Sequence, residues 1–310
     1  MGNMVDVGKV VNKSKIKLIG SSLVIVALLV LVIFGIRYRS FSSKINKVEI
    51  DRDFVTDFGK LESTPNEDVT NIAILGSDSS EGFGKADTVM VLSLNKENKQ
   101  VKLLSFMEDI SLMLAEGGTL RLNETLSEGG PELILKTLNY NFDLNIDKFI
   151  HVDLNLLPKI VDQIGGVEAN IDSEDLYKIN HLIVNIDNEK RTYTDQIFSG
   201  GARILNGIQA LAYCKLDSAN NHKNIFGSIF SNYSDNISKF ASNILPIMRT
   251  NMKATELMSV ISSTSKAYKD SIKNITLPLE GDFSNGITGF NNRIINIDAT
   301  KEAIHEFINN

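Results

Sequence analysis

Two aspartates, Asp78 and Asp87, stand at the ends of GSDSSEGFGKADT (76–88), a segment that leaves one apolar run and enters the next. A loop that folds back between two strands brings its ends together at the sheet edge, where ligands favour open α/β sheets. Two carboxylates completed by water and substrate phosphate are the usual setting of Mg²⁺, a hard ion that takes few protein ligands. The same spacing also suits Asp78 capping a turn and Asp87 facing solvent, and residue types alone leave both readings open. The fragment GFGKAD lacks the third glycine of a dinucleotide fingerprint, and no G-x-x-x-x-G-K-[ST] phosphate loop occurs. His151, His181, His222 and His305 are scattered without H-E-x-x-H or paired ligand spacing, so solvated or core roles account for them. Cys214 follows an apolar run with nothing nearby to activate it, which describes a buried, inert thiol. No G-x-S-x-G nucleophile elbow occurs.

The elements that must position these groups alternate in type. NIAILGSD (71–78), TVMVLSLN (88–95) and QVKLLSF (100–106) have buried-strand patterns, and KENK between the last two makes a polar hairpin loop. The glycine-rich stretch 116–130 reads as a loop, and PELILKTLNYNF (131–142) as an amphipathic helix with Pro131 in its first turn. FIHVDL (149–154) is strand-like, LNLLPKIVDQIGG is helical and stopped by Gly165 and Gly166, and VEANI (167–171) is a further strand. Residues 172–199 carry no assignable pattern. ARILNGIQALAYC (202–214) reads as a short helix running into a strand, residues 225–248 and 252–268 as helices, and a closing helix follows two late strands. Short connections between alternating strands and helices predict one α/β domain with helices on both faces of a central sheet.

Charge and hydropathy divide the 310-residue chain. Leu18–Ile36 contains no charged residue over nineteen positions. As a helix it is about 28 Å long, close to the roughly 30 Å of a bilayer's hydrocarbon core. A signal peptide has a shorter apolar region with a small-residue cleavage site, whereas this run ends in IRYRS. The expected organisation is a cytoplasmic tail (1–17), a transmembrane helix (18–36), a polar spacer (37–69) and a domain over 70–310. Four Lys/Arg precede the run and four follow it by residue 47, so the positive-inside rule is a tie and composition leaves the orientation open. Residues 1–47 hold eight basic residues and one acidic residue of the chain's 32 and 38, which leaves 24 against 37, about −13, for residues 48–310. A body so acidic excludes nucleic acid as a partner, because nonspecific affinity for a polyanion comes from Lys/Arg releasing its counterions. The single cysteine forbids an internal disulfide.

The order NIAILGSDS, KADTVMVLSLN, VKLLSF-x-x-D, RLN-x-x-x-x-x-GGPELILKTL, FIHVDL, IVDQIGGVEANI and LNGIQALAYCK resembles the LytR-CpsA-Psr family over about residues 70–308. The resemblance implies a three-layer αβα sandwich with a central mixed sheet, preceded by one transmembrane helix and facing the outside of the cell membrane. It also implies a polyprenyl pyrophosphate-linked glycan held in an apolar groove, and transfer of the glycopolymer to peptidoglycan as a phosphodiester. By the same resemblance Asp78 and Asp87 would bind Mg²⁺, with Asp87 and Asp109 as catalytic acids. Lys85, Arg121, Asn123 and Lys215 would then contact the pyrophosphate.

Departures from the family pattern bear on catalysis. Ser80 and Lys85 stand where the family carries arginines, and SFMED places Glu108 where a pyrophosphate-contacting arginine is expected. The R-x-R pattern after QALAY becomes Lys215, Leu216 and Asp217, and Ser228, Ser231 and Asn232 fall on a later Arg, Arg and Gln. Guanidinium offers bidentate contacts to phosphate that an ammonium cannot reproduce. Two functions therefore stand side by side: the Mg²⁺-dependent transferase, and a non-catalytic member that binds lipid-linked glycan or wall components in assembly or regulation.

Overall fold

The computed structural model describes residues 39, 41–57, 68–79, 82–216, 221, 224, 225, 228, 229, 243–269, 272–285 and 293–310. Residues 45–310 form one compact unit; residues 1–44 belong to another, of which 39 and 41–44 are described. The charge-free run 18–36 lies outside the described residues, as do most positions of the helix expected over 225–248. Among the described residues no helix is long and apolar enough to cross a membrane.

The compact unit begins with strand β1 (Asn46–Lys47) and helix α1 (Arg52–Thr56), both within the stretch of spacer-like composition. Then come β2 (Val69–Ser77), β3 (Ala86–Asn95), β4 (Val101–Phe106), β5 (Ile110–Met113), β6 (Thr119–Arg121), α2 (Leu122–Phe142) and β7 (Lys148–Asp153). The chain continues through α3 (Leu157–Gln163), β8 (Val167–Ile171), α4 (Leu176–Lys190), β9 (Gly201–Leu205), α5 (Gly207–Cys214), β10 (Met248–Thr250) and α6 (Ala254–Lys269). Strands β11 (Lys273–Leu277), β12 (Phe283–Asn285), β13 (Arg293–Ile295) and helix α7 (Ile297–Asn309) close it. A seven-stranded sheet in the order β1-β10-β7-β2-β3-β4-β11 forms the centre. It is mixed: β2 pairs antiparallel with β3 and parallel with β7, and β4 pairs antiparallel with β3 and parallel with β11. Helices pack on both faces of an α/β fold, as the alternation of elements predicts.

Register explains the layering, because side chains alternate between faces along a strand. Ala73, Leu75, Val89, Val91, Leu104 and Phe106 point into a core with Leu122, Leu126, Ile134 and Phe142 of α2 and Ile304 of α7. Ile72, Ile74, Met90, Leu92 and Leu103 occupy the alternate positions and are also buried. Burial on both faces accounts for the near-continuous apolar runs.

Two expectations are corrected. Helix α2 starts at Leu122, inside the stretch read as a loop, and bends where Gly129 and Gly130 leave helical geometry. Gly130 has φ +64, and a Cβ on Gly129 would lie 2.5 Å from Leu133 Cβ, so glycine composition marks a kink in a helix here. Segment 201–214 is a strand followed by a helix, the reverse of the order read from sequence. Asn206 and Gln209 form a capping box that starts α5 after β9.

Candidate functional site

The chain bulges at Gly76/Ser77, at the C-terminal end of the central strand β2. Space is tight there: a Cβ on Gly76 would lie 3.1 Å from Thr88 Cβ and 3.2 Å from Leu154 Cδ2, so a larger residue would have to push them back by a few tenths of an ångström. The loop then folds back into β3, as its spacing predicts, and Asp78 and Asp87 converge on one cation. Lys215, the residue that caps α5, places Nζ 3.2 Å from Asp78 Oδ2 and 3.6 Å from Asp87 Oδ2. Burial raises the Asp87 carboxyl above the usual carboxylate range, Lys215 opposes this and Asp78 adds to it. Burial would lower the Lys215 ammonium, but the two carboxylates outweigh it and the net shift is upward.

Asp87 Oδ2 is buried without a hydrogen-bond partner. That oxygen has the Lys215 ammonium at 3.6 Å as its ionic partner, and two carboxylates sharing one ammonium suit a hard divalent cation, so this pair fits Mg²⁺. No group of three or more His, Cys, Asp or Glu gathers to hold a metal anywhere among the described residues, here included, so the protein would supply these two carboxylates alone. Water and ligand oxygens would therefore complete the coordination.

Lys85, two positions before Asp87, binds Glu124 Oε1 at 2.9 Å. Arg121 donates to the same oxygen. Glu124 lies in the first turn of α2, and Arg121, then Lys85, hold its carboxyl down to about 2. Glu124 was not singled out in the sequence, although its i,i+3 spacing from Arg121 was a usable signal. Asn123 donates its backbone N–H to the Glu108 carbonyl at 2.9 Å, and its side-chain oxygen is buried without a partner. Asp109 binds the Arg293 guanidinium, while Arg293 N–H donates to the Asp109 carbonyl at 3.0 Å. Arg293 reaches this place because β13 pairs with β5, a contact across 184 residues with no local signature. Glu108, Asp87 and Lys215 line one cavity of about 440 Å³ with Thr88, Met90 and Leu216. With all groups ionised, Asp78, Asp87, Glu108, Asp109 and Glu124 oppose Lys85, Arg121, Lys215 and Arg293.

The structure thus places the candidate residues in distinct groups: Asp78, Asp87 and Lys215 together, Lys85 and Arg121 together, Asp109 on Arg293, and Asn123 on the Glu108 backbone. Of the departures, Ser80, Asp217, Ser231 and Asn232 lie outside the described residues.

The underside of the loop is anchored too. Arg249 of β10 donates to the Gly82 carbonyl and stacks 5.3 Å from the centre of the Phe83 ring. Phe83 meets His151 edge-on at 5.0 Å, and His151 Nε2 hydrogen-bonds Ser77 Oγ at 2.8 Å. Burial, with Arg249 adding, lowers His151 to about 4, which fits the core role expected of it. Cys214 is buried and its thiol is pushed up to about 12, consistent with inertness.

The LytR_cpsA_psr family model matches residues 33–306. The polyisoprenyl-teichoic acid–peptidoglycan teichoic acid transferase TagV of Bacillus subtilis is 28% identical over 185 residues, 56% of this chain. That match takes in 44% of TagV, so the chain spans about half the length of this curated relative. A structure described as TagT bound to LI-WTA superposes with a TM-score of 0.64 at 18% identity, covering 84% of this chain and 98% of that one. TagT with bound octaprenyl pyrophosphate lipid gives 0.61 at 18% identity over the same shares. These structures share the fold.

Proposed function

The chain belongs to the LytR-CpsA-Psr family, and from that premise we propose that it transfers a glycopolymer from a polyprenyl pyrophosphate carrier to peptidoglycan as a phosphodiester. The observation that carries this reading is the meeting of Asp78, Asp87 and Lys215, of which Asp87 and Lys215 line a cavity together with Glu108. The names of TagV and of the lipid-bound TagT structure support the same chemistry. Leu18–Ile36 would anchor the chain as a single span, with residues 1–17 in the cytoplasm and the domain outside.

In this reading an acceptor hydroxyl attacks the phosphorus that bears the glycan. A new P–O bond forms, the bond to the bridging oxygen breaks, and polyprenyl phosphate leaves, taking up the proton that the hydroxyl gives up. Asp78 and Asp87 would hold Mg²⁺, which supplies charge neutralisation for the pyrophosphate. Lys215 offers N–H donors to phosphate oxygens, and Asn123 adds one amide. Lys85 and Arg121 contribute to the extent that Glu124 releases them. Asp109, paired with Arg293, holds that side of the site in place and adds a carboxylate near Arg121.

A second reading rests on Glu108, whose carboxylate lines the same cavity and repels an anion. There the chain binds lipid-linked glycan without turning it over. The full-length protein in detergent, given a polyprenyl pyrophosphate glycan, Mg²⁺ and peptidoglycan, separates the two. Release of polyprenyl phosphate with label entering peptidoglycan supports the transferase. Retention of intact lipid on the protein supports the binder and ends the first reading.

A further inference from the structure

Lys85 and Arg121 come from different elements, the first loop and the end of β6, and are brought together by a single side chain. Glu124 Oε1 accepts from both: Lys85 Nζ at 2.9 Å and the Arg121 guanidinium. Its side chain is one-fifth exposed, while those of Lys85 and Arg121 are 56% and 33% exposed. The cations can therefore reach an incoming ligand, whereas the carboxylate that occupies them is largely covered. One oxyanion held between an ammonium and a guanidinium is the arrangement a phosphate oxygen would take in the same place. A helix start needs no such pair, since a first-turn acid is already favoured by the exposed backbone N–H groups around it.

We infer that Glu124 is a built-in substitute for a phosphoryl group, and that its grip on Lys85 and Arg121 sets how tightly the chain holds a pyrophosphate. The inference rests on the proposed pyrophosphate site and names the residue that tunes it. A pyrophosphate that enters must displace one carboxylate from two cations, and so gains only the difference between two similar interactions. Removing the carboxylate's charge takes one competitor from both cations, with Asp109 and Glu108 still near Arg121.

The test is calorimetric titration of inorganic pyrophosphate, without divalent cation, into the full-length protein in detergent, compared with Glu124→Gln and Glu124→Ala. Both variants are expected to bind pyrophosphate roughly tenfold more tightly than the parent, the scale of one charge-assisted hydrogen bond. Glu124→Gln preserves shape, and a thermal scan of each variant shows that it is folded. Adding Arg121→Gln to Glu124→Gln should erase the gain, which a role confined to helix stability would not produce. If the parent binds pyrophosphate and the folded variants bind it equally or more weakly, the inference is overturned while the site stands. If neither the parent nor the variants bind, the pyrophosphate site is wrong and the inference falls with it.

Discussion

Around Lys215 one ammonium serves two carboxylates, Asp78 and Asp87; around Glu124 one carboxylate serves two cations, Lys85 and Arg121. The first group carries a surplus negative charge, two carboxylates against one ammonium, so it invites a cation. The second sets an exposed Lys85 and a partly exposed Arg121 against one carboxylate, with Asp109 and Glu108 also near Arg121, and offers an anion two donors. One residue, Ala86, separates Lys85 from Asp87 along the chain, so the two groups share one loop. A divalent cation next to a pyrophosphate is the complement of such a pair. Total charge hides this, because the site as a whole is about neutral and the body is acidic.

The comparison breaks most easily at Asp87. Asp87→Ala should lower Mg²⁺-dependent release of polyprenyl phosphate by about 100-fold or more, the scale of losing one transition-state electrostatic contact. Release at the parent's rate would show that the carboxylate pair holds no essential cation.

Lys215 sharpens the contrast, because its ammonium sits where a cation would enter. Lys215→Ala should tighten Mn²⁺ binding, followed by electron paramagnetic resonance, by about tenfold, or ~1.4 kcal/mol. It should also weaken pyrophosphate binding. A loss of Mn²⁺ affinity would mean that Lys215 supports the carboxylates and does not compete for them.

The loop that carries both groups depends on His151 and Arg249. The unfolded chain gains a proton near 6.5, but buried His151 resists it until about 4. The unfolded state therefore binds more protons in that window, and stability falls by roughly 3 kcal/mol as pH drops from 6.5 to 4, then levels. Denaturant unfolding across this range should show the slope, and His151→Gln should remove it. An unchanged slope in the variant would place the proton uptake elsewhere. Arg249→Ala, which removes the stacking on Phe83 and the bond to Gly82, should cost about 1 kcal/mol and weaken both ligands modestly. An effect on one ligand alone would mean that the loop does not move as a unit.

Much of the frame was legible in the sequence. β2, β3 and β4 declare themselves as apolar runs because they are buried on both faces, and the hairpin loop between β3 and β4 by its polarity. The convergence of Asp78 and Asp87 follows from two strands joined by one loop. Less legible was 116–130, where four glycines suggested a loop and the chain instead makes a kinked helix packed by Leu122 and Leu126. Glu124, which pairs with Lys85 and Arg121, stands at helical spacing from Arg121, a signal that loop-like glycine composition masks. Arg293 could not have been found locally, since its place beside Asp109 depends on the pairing of β13 with β5. Composition counts charges, whereas the site depends on which of them are paired.

The division between the two groups is tested most directly by titrating Mn²⁺ into the full-length protein, Asp87→Asn and Glu124→Gln, with electron paramagnetic resonance as the readout. The account predicts that Asp87→Asn loses the bound cation and that Glu124→Gln keeps it at the parent's affinity. Equal loss in both variants, or loss in Glu124→Gln alone, would contradict the division.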